Sequence, residues 1–289
     1  MPKVSVIIPT CNRPDLLPRA IKSVLSQIYQ DFEIIVVDDG DKRSAENVVR
    51  QFNDERIKYI KHVERKGGAA ARNTGIKAAQ GEFIAFLDDD DEWLPKKLEI
   101  QMRQFENTPP DVGFCFSAVK NIYKDKEEAS SVPDGIADYF NLSLRRLKGF
   151  LTVTLIIKRY IFDAVGMFDE RLPSHQEPDL MIRVSKKFKG LGINKPLVRV
   201  SMSCSYEHIG GSIKRRIAGR EIILNKYLDE FKKKPEVLAY HYFQIALWHR
   251  DNKQFVEAET YFKKAWKESF RLRYFYHYLS AFIFTKFLH

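Results

Sequence analysis

The chain has 289 residues, 44% hydrophobic, 13% aromatic and 30% charged, which is enough apolar material to bury a sizeable core and excludes wholesale disorder. Its formal net charge is +10, a surplus that fits an anionic partner without choosing among nucleic acid, membrane and acidic protein. Its three cysteines, Cys11, Cys115 and Cys204, are too few and too scattered for a disulfide framework or a zinc pair, and read as free thiols in a reducing compartment.

Residues 4–8 are a short apolar run closed by Pro9, the pattern of a buried parallel strand. A helix is expected over 15–27, where Leu16, Ala20, Ile21, Val24 and Leu25 recur at helical spacing. A second strand over 33–37 ends at Asp38-Asp39-Gly40, and Ser44 is a plausible N-cap for a helix over 44–52. Residues 57–60 read as a third strand, and the alanine-rich stretch 68–79 as a helix packed closely through small side chains. A fourth strand, 83–87, stops at a run of four aspartates. This rhythm predicts an α/β fold, a Rossmann-like and mostly parallel sheet flanked by helices. From Asp111 onward the pattern loosens: strands around 112–117 and 151–157, a polar stretch over 124–134, then helix, loop and helix over 162–188, the second helix covering 179–188. Beyond Gly210-Gly211 the chain reads as helical to its end.

Ligands of parallel sheets bind beyond the carboxyl ends of the strands. Pro9-Thr10, Asp38-Asp39 and Asp88 to Asp91 all fall there. Adjacent carboxylates repel one another, so such a run must be exposed or neutralised, and a divalent cation bridged to a diphosphate is the usual neutraliser. A solvated acidic loop is the bland alternative. Asp38-Asp39-Gly40 can both make a turn and accept hydrogen bonds from a nucleoside. Neither GxGxxG nor GxxxxGK[ST] occurs, so no glycine cradle for a phosphate is expected.

Four stretches in this order, MPKVSVIIPTCNR, VVDDG, GGAAARNTG and GEFIAFLDDDDEW, resemble glycosyltransferase family 2, the inverting transferases of the GT-A fold, over residues 1 to about 215. The resemblance implies a UDP-sugar donor, Mn2+ or Mg2+, and a hydroxyl acceptor on a glycan or lipid carrier. It implies nucleoside contacts at Pro9, Thr10, Asn12, Arg13 and Asp39, with Asp38 as neighbour, and a diphosphate contact at Arg72. Asp88-Asp89-Asp90 matches the DxD motif, with Asp90 the first expected metal ligand, Asp88 a further one, and Asp88 and Asp89 facing the ribose. The catalytic base matches Glu177, where Asp is commoner, with Asp179 in reserve; Pro178 is expected to keep Glu177 out of helical geometry. His208, in the stretch Tyr206-Glu207-His208, matches a metal or phosphate contact and has an equally good reading as a structural histidine. Lys214, Arg215 and Arg216 follow as a phosphate clamp. Cys11 departs from the family, which usually carries an aromatic residue there and so gains stacking on the base.

The expected organisation is a nucleotide-sugar-binding half, 1–110, an acceptor-binding half, 111–215, and a basic helical extension, 216–289. Residues 212–289 hold 16 basic and 8 acidic side chains, most of the excess charge. Within them Tyr242, Ile245 and Ala246, then Ala258, Phe262 and Ala265, are spaced like a single tetratricopeptide-type hairpin turned at Asp251-Asn252. One such unit cannot bury its own face and needs a cover. Tyr274 to Thr285 is an uncharged stretch of 12 residues, short of the roughly 20 a spanning helix needs, and the N-terminal apolar run is too short for a signal peptide. The expectation is a cytoplasmic protein whose aromatic and basic tail either closes the hairpin or contacts the inner face of a membrane. No nucleic-acid recognition motif occurs. The alternatives are a non-catalytic adaptor with a degenerate site and a sugar nucleotidyltransferase, the latter lacking its glycine-rich phosphate loop.

Overall fold

The computed structural model describes residues 1–145, 150–202 and 212–287. The chain forms two compact units, Met1–Glu170 with Gln176–Ser205, and Arg171–His175 with Tyr206–His289.

The first unit opens with β1 (Val4–Thr10), α1 (Leu17–Leu25), β2 (Phe32–Asp38), α2 (Glu46–Arg50), β3 (Ile57–Lys61), α3 (Gly68–Ala78) and β4 (Phe83–Phe86). β1 pairs in parallel with both β2 and β4, and β2 with β3. Alternate residues of these strands enter two cores. Val4, Val6 and Ile8 join Ala20, Ile21 and Val24 of α1, while Ile7 on the other face joins Ala71 and Ile76 of α3. Burial on both faces is why the strands read as unbroken apolar runs. α3 lies close on β1: a Cβ at Gly75 would sit 2.4 Å from Ile7 Cγ2.

The unit continues with β5 (Glu92–Trp93), α4 (Lys97–Phe105), β6 (Val112–Ile122), β7 (Glu127–Ala129), β8 (Gly135–Ala137), α5 (Phe140–Arg145), a 3-10 turn at Thr152–Thr154, β9 (Ile156–Lys158), α6 (Ile161–Val165), α7 (Gln176–Lys187) and β10 (Lys189–Ser201). The sheet order is β3-β2-β1-β4-β9-β6-β10-β5. β9 is antiparallel to both its neighbours, whereas β10 runs parallel to β6. One expectation is corrected here. Glu177 belongs to α7, because Pro178 sits in the first turn, where a missing N–H costs no intrahelical bond.

The second unit contains α8 (Ile213–Lys226), α9 (Leu228–Lys232), α10 (Pro235–Asp251), α11 (Phe255–Glu268) and α12 (Leu272–Phe287). α10 and α11 pair through Phe243, Ala246, Ala258, Phe262 and Ala265. Their cover comes from α12, whose Tyr274 is buried in the same core with its ring 5.0 Å from that of Phe243. α12 leaves Leu272, Phe275, Tyr276, Leu279 and Ile283 exposed at helical spacing. No helix among the described residues is long and apolar enough to cross a membrane.

Candidate active site

The carboxyl ends of β1, β2 and β4 lie side by side, with Thr10 opposite Asp38 and Ile7 opposite Phe86. Asp38 is fully buried. It accepts hydrogen bonds from the Gly40 N–H at 2.8 Å, the Ala45 N–H at 2.9 Å and the Tyr59 hydroxyl at 2.6 Å. Burial would raise its pKa, but these donors and Lys61 outweigh it and hold the carboxyl below the usual range. Asp38 therefore builds the loop that follows β2. Asp39 does the same for the approach to α3: Oδ1 accepts from the Lys66 N–H and Oδ2 from the Gly67 N–H, both at 2.7 Å, and His62 Nδ1 lies 2.8 Å from Oδ1. Gly67 has φ +96°, the left-handed region that favours glycine.

At the end of β1, Pro9 is half-buried beyond the last residue paired with β4, where its missing N–H is no loss. Thr10 turns inward and donates to Asp89 Oδ2 at 2.7 Å. The Asn12 side chain is used within the protein, accepting from the N–H groups of Lys42 and Arg43 at 2.8 and 3.0 Å. Arg13 spans Asp89 at 2.5 Å and Asp90 at 3.2 Å. Asp89, expected to face the ribose, is fully buried between Thr10 and Arg13 and ties β1 to the acid run. Burial pushes its pKa up to about 7, against the pull of Arg13 and Thr10. Cys11 is a free, half-buried thiol, and Cys115 a free, fully buried one.

Asp88, Asp90 and Asp91 each direct a carboxylate oxygen to one place, the three atoms lying within 4.8 Å of one another. A set of hard oxygen donors this tight suits a divalent cation such as Mg2+ or Mn2+. Asp91 was not assigned a role from the sequence. Its Oδ1 accepts from the Ser201 N–H at 2.9 Å, and burial together with the charges of Asp88 and Asp90 raises its pKa to about 8. Its place in the acid run is the only sequence signal it had.

Arg72 of α3 joins this cluster, with Nη2 donating to Asp88 Oδ1 at 2.6 Å. It is buried, and its Nε has no hydrogen-bond partner among the described residues. Burial works against the charge, but Asp88, Glu177 and Asp89 together hold the Arg72 pKa above the ordinary arginine value. Glu177 thus acts on the same guanidinium as the acid run. It is half-buried and accepts from the Thr152 hydroxyl at 2.8 Å. Asp179, the reserve base, is fully buried and paired with Arg183 at 2.8 Å, while Arg183 also donates to the carbonyls of Val165, Gly166 and Met167. That leaves Glu177 as the more accessible acid of the two. Asn73, beside Arg72 on α3, donates to the Phe168 carbonyl at 2.9 Å and Glu170 at 2.7 Å and fixes the segment ahead of α7. Thr152 carries no sequence signal, and Asn73 only its place in the GGAAARNTG stretch. His208, Cys204 and the stretch Tyr206-Glu207-His208 lie outside the described residues.

Residues 5–165 match the sequence profile of Glycosyl transferase family 2. The chain belongs to that family. An uncharacterized glycosyltransferase of Rickettsia conorii is 33% identical over 204 residues, covering 70% of this chain and 33% of the relative. The chain thus spans about a third of the length of the rickettsial relatives it matches. The amylovoran biosynthesis glycosyltransferase AmsB of Erwinia amylovora is 29% identical over 281 residues, covering 90% of this chain and 89% of the relative. The Escherichia coli UDP-Glc:alpha-D-GlcNAc-diphosphoundecaprenol beta-1,3-glucosyltransferase WfgD is 44% identical over 99 residues, covering 34% of this chain and 39% of the relative. Among solved structures, S. aureus TarS 1-349 in complex with UDP-GlcNAc aligns with TM-score 0.60 and 16% identity, covering 96% of this chain and 79% of the other. The mannosyltransferase PcManGT from Pyrobaculum calidifontis, in complex with GDP-Man and Mn2+, aligns with TM-score 0.60 and 18% identity, covering all of this chain and 81% of the other. The family 2 domain has the α/β fold of these GT-A structures, followed by α-helices.

Proposed function

We propose that this family 2 domain transfers a sugar from a UDP-sugar, with inversion, to a hydroxyl of a glycan or lipid-linked acceptor in surface polysaccharide or glycolipid assembly. The observation that carries the reading is the convergence of Asp88, Asp90 and Asp91 beside Arg72, whose buried Nε is free to donate. In this reading residues 1–110 hold the donor, 111–215 the acceptor, and 216–289 form a basic extension that includes a hairpin like a tetratricopeptide unit. The activity that WfgD is named for, with UDP-Glc and a diphosphoundecaprenol-linked sugar, supports both the donor class and a lipid carrier.

Each residue then has a task. Asp88, Asp90 and Asp91 would hold a divalent cation, which when bound supplies positive charge to the donor's diphosphate. The Arg72 Nε–H donates a hydrogen bond to the same diphosphate, and Arg13 keeps Asp89 and Asp90 in place. Asp39 accepts from the base through a lone pair that the Lys66 and Gly67 amides leave open. Pro9, Thr10 and Asn12 shape the floor of the nucleoside pocket through the backbone. Glu177, oriented by Thr152, takes the proton of the acceptor hydroxyl as its oxygen bonds to the anomeric carbon and the bond to the diphosphate breaks on the opposite side. His208 adds a phosphate or metal contact. The exposed stripe of α12, with Arg271, Arg273 and Lys286 near its ends, rests on an anionic membrane surface where the lipid-linked acceptor resides.

Calorimetric titration of UDP, GDP and CDP with and without Mn2+ tests the donor. Metal-dependent binding of UDP alone is the expected result. Tight GDP or CDP binding would change the donor, and no binding of any of the three would overturn the reading.

A further inference from the structure

The helical unit contains a buried cation that no described residue neutralises. Arg220 of α8 is 4% exposed, and its Nε and Nη1 have no hydrogen-bond partner among the described residues. Its guanidinium carbon lies 4.3 Å from the centroid of the Trp248 ring on α10. Burial lowers its pKa to about 10. Tyr240 opposes that shift, while Arg216 adds to it, and no carboxylate among the described residues contributes. A buried charge is ordinarily kept with a counter-charge or a full set of acceptors.

The surroundings are built rather than loose. His175 also lies against Trp248, with ring centroids 6.3 Å apart. Its φ of +63° is uncommon for a residue other than glycine. The Ser174 hydroxyl is bonded to His175 Nδ1 at 2.7 Å and to the Arg215 carbonyl at 2.8 Å. A Cβ at Gly219 would lie 2.2 Å from Ser174 Oγ, so the 174–175 segment and the first turns of α8 are held as one piece. A planar guanidinium on an indole face, beside a second arginine and with unfilled donors, is suited to a bidentate phosphate oxygen pair.

We propose that Arg220, seated on Trp248 and joined by Arg216, binds a phosphate-bearing group, and that this group belongs to the acceptor's carrier. The donor's diphosphate already has Arg72 and the acid cluster in the other unit. Assignment to the acceptor rests on the glycosyl-transfer reading above, whereas the anion site does not.

The test titrates inorganic pyrophosphate into the full chain without metal, comparing wild type with R220M. The expected result is at least a tenfold loss of affinity in R220M, with a melting temperature equal to or above that of wild type, because an uncompensated buried charge has been removed. Unchanged affinity overturns the site. So does a pyrophosphate response fully displaced by UDP, which would place the anion in the donor pocket. If R220M does not accumulate folded, R220K serves: it keeps the charge but loses the fork and the stacking, and must still weaken pyrophosphate severalfold. In transfer assays R220M should raise KM for a diphosphate-linked acceptor tenfold or more while KM for the donor stays put. Loss of pyrophosphate binding in a protein that transfers no sugar would keep the anion site and sink the transferase reading.

Discussion

Asp91 shows what separates the four adjacent acids. A turn closed by its N–H on the Asp88 carbonyl at 3.2 Å brings Asp88, Asp90 and Asp91 together and sends Asp89 inward. D90A should cut transfer by about 10³-fold or more by loss of charge stabilisation, read as turnover at saturating metal. E177Q should retain UDP binding but lose about 10²-fold in kcat, and near-normal turnover would place the base elsewhere. Because the Asp91 pKa is raised to about 8, a proton competes with the cation. Mn2+ affinity should therefore rise with pH, by about tenfold per unit at most between pH 6 and 8, and flatten above it. The metal-free protein should behave oppositely in stability. The folded carboxyls of Asp89 and Asp91 bind protons more tightly than the unfolded ones, so stability falls as pH rises from about 4 to about 8. D91N should flatten the Mn2+ profile, seen by calorimetry, and make the stability slope shallower in thermal melts with a chelator, leaving the part that belongs to Asp89. The presence of an acidic site after β4 was legible in the sequence. Which acid faces which way was not, because that is set by one turn's backbone and by partners such as Thr10, distant in sequence by 79 residues.

The elements that were legible are those buried on both faces or packed through one clear stripe. β1 to β4 and α1 to α3 follow their apolar periods. α4 is absent from the expected elements although Leu98, Met102 and Phe105 form its buried face, and its N-cap position is Lys96, which gives no side-chain cap to mark its start. β10 escaped for a different reason: its pairing with β6 shifts register around Ile193, Pro196 and Val198, which breaks the period-two pattern a strand needs. Where the sequence did predict close packing, at the small-residue helix, a sharp consequence follows. An alanine in place of Gly75 gains about 1 kcal/mol of helix propensity, but its Cβ would overlap Ile7. G75A should therefore be net destabilising by about 1–3 kcal/mol, measured as a lowered denaturation midpoint with the m-value preserved. A stabilised G75A would mean that α3 can slide on β1.

Over the whole molecule the charge is uneven, with residues 212–289 carrying 16 of the 48 basic side chains but only 8 of the 38 acidic ones. α12 satisfies one expectation through Tyr274, which closes the hairpin core, and leaves the other open through its exposed face. Flotation with vesicles containing anionic lipid should recover the full chain at low salt and lose it at high salt. Replacing Phe275 and Tyr276 with serine should abolish the low-salt recovery as well. Absence of flotation at low salt would sink the membrane contact. The sheet carries a different lesson. β9, drawn from beyond residue 150, is the strand that joins β4 to β6, and it does so antiparallel to both. In the proposed reading, the donor and acceptor parts therefore share one continuous sheet across residue 110. A chimera cut there would graft a foreign β9 onto the native β4 edge, so new linkages within this scaffold are better sought by varying loops than by recombining halves.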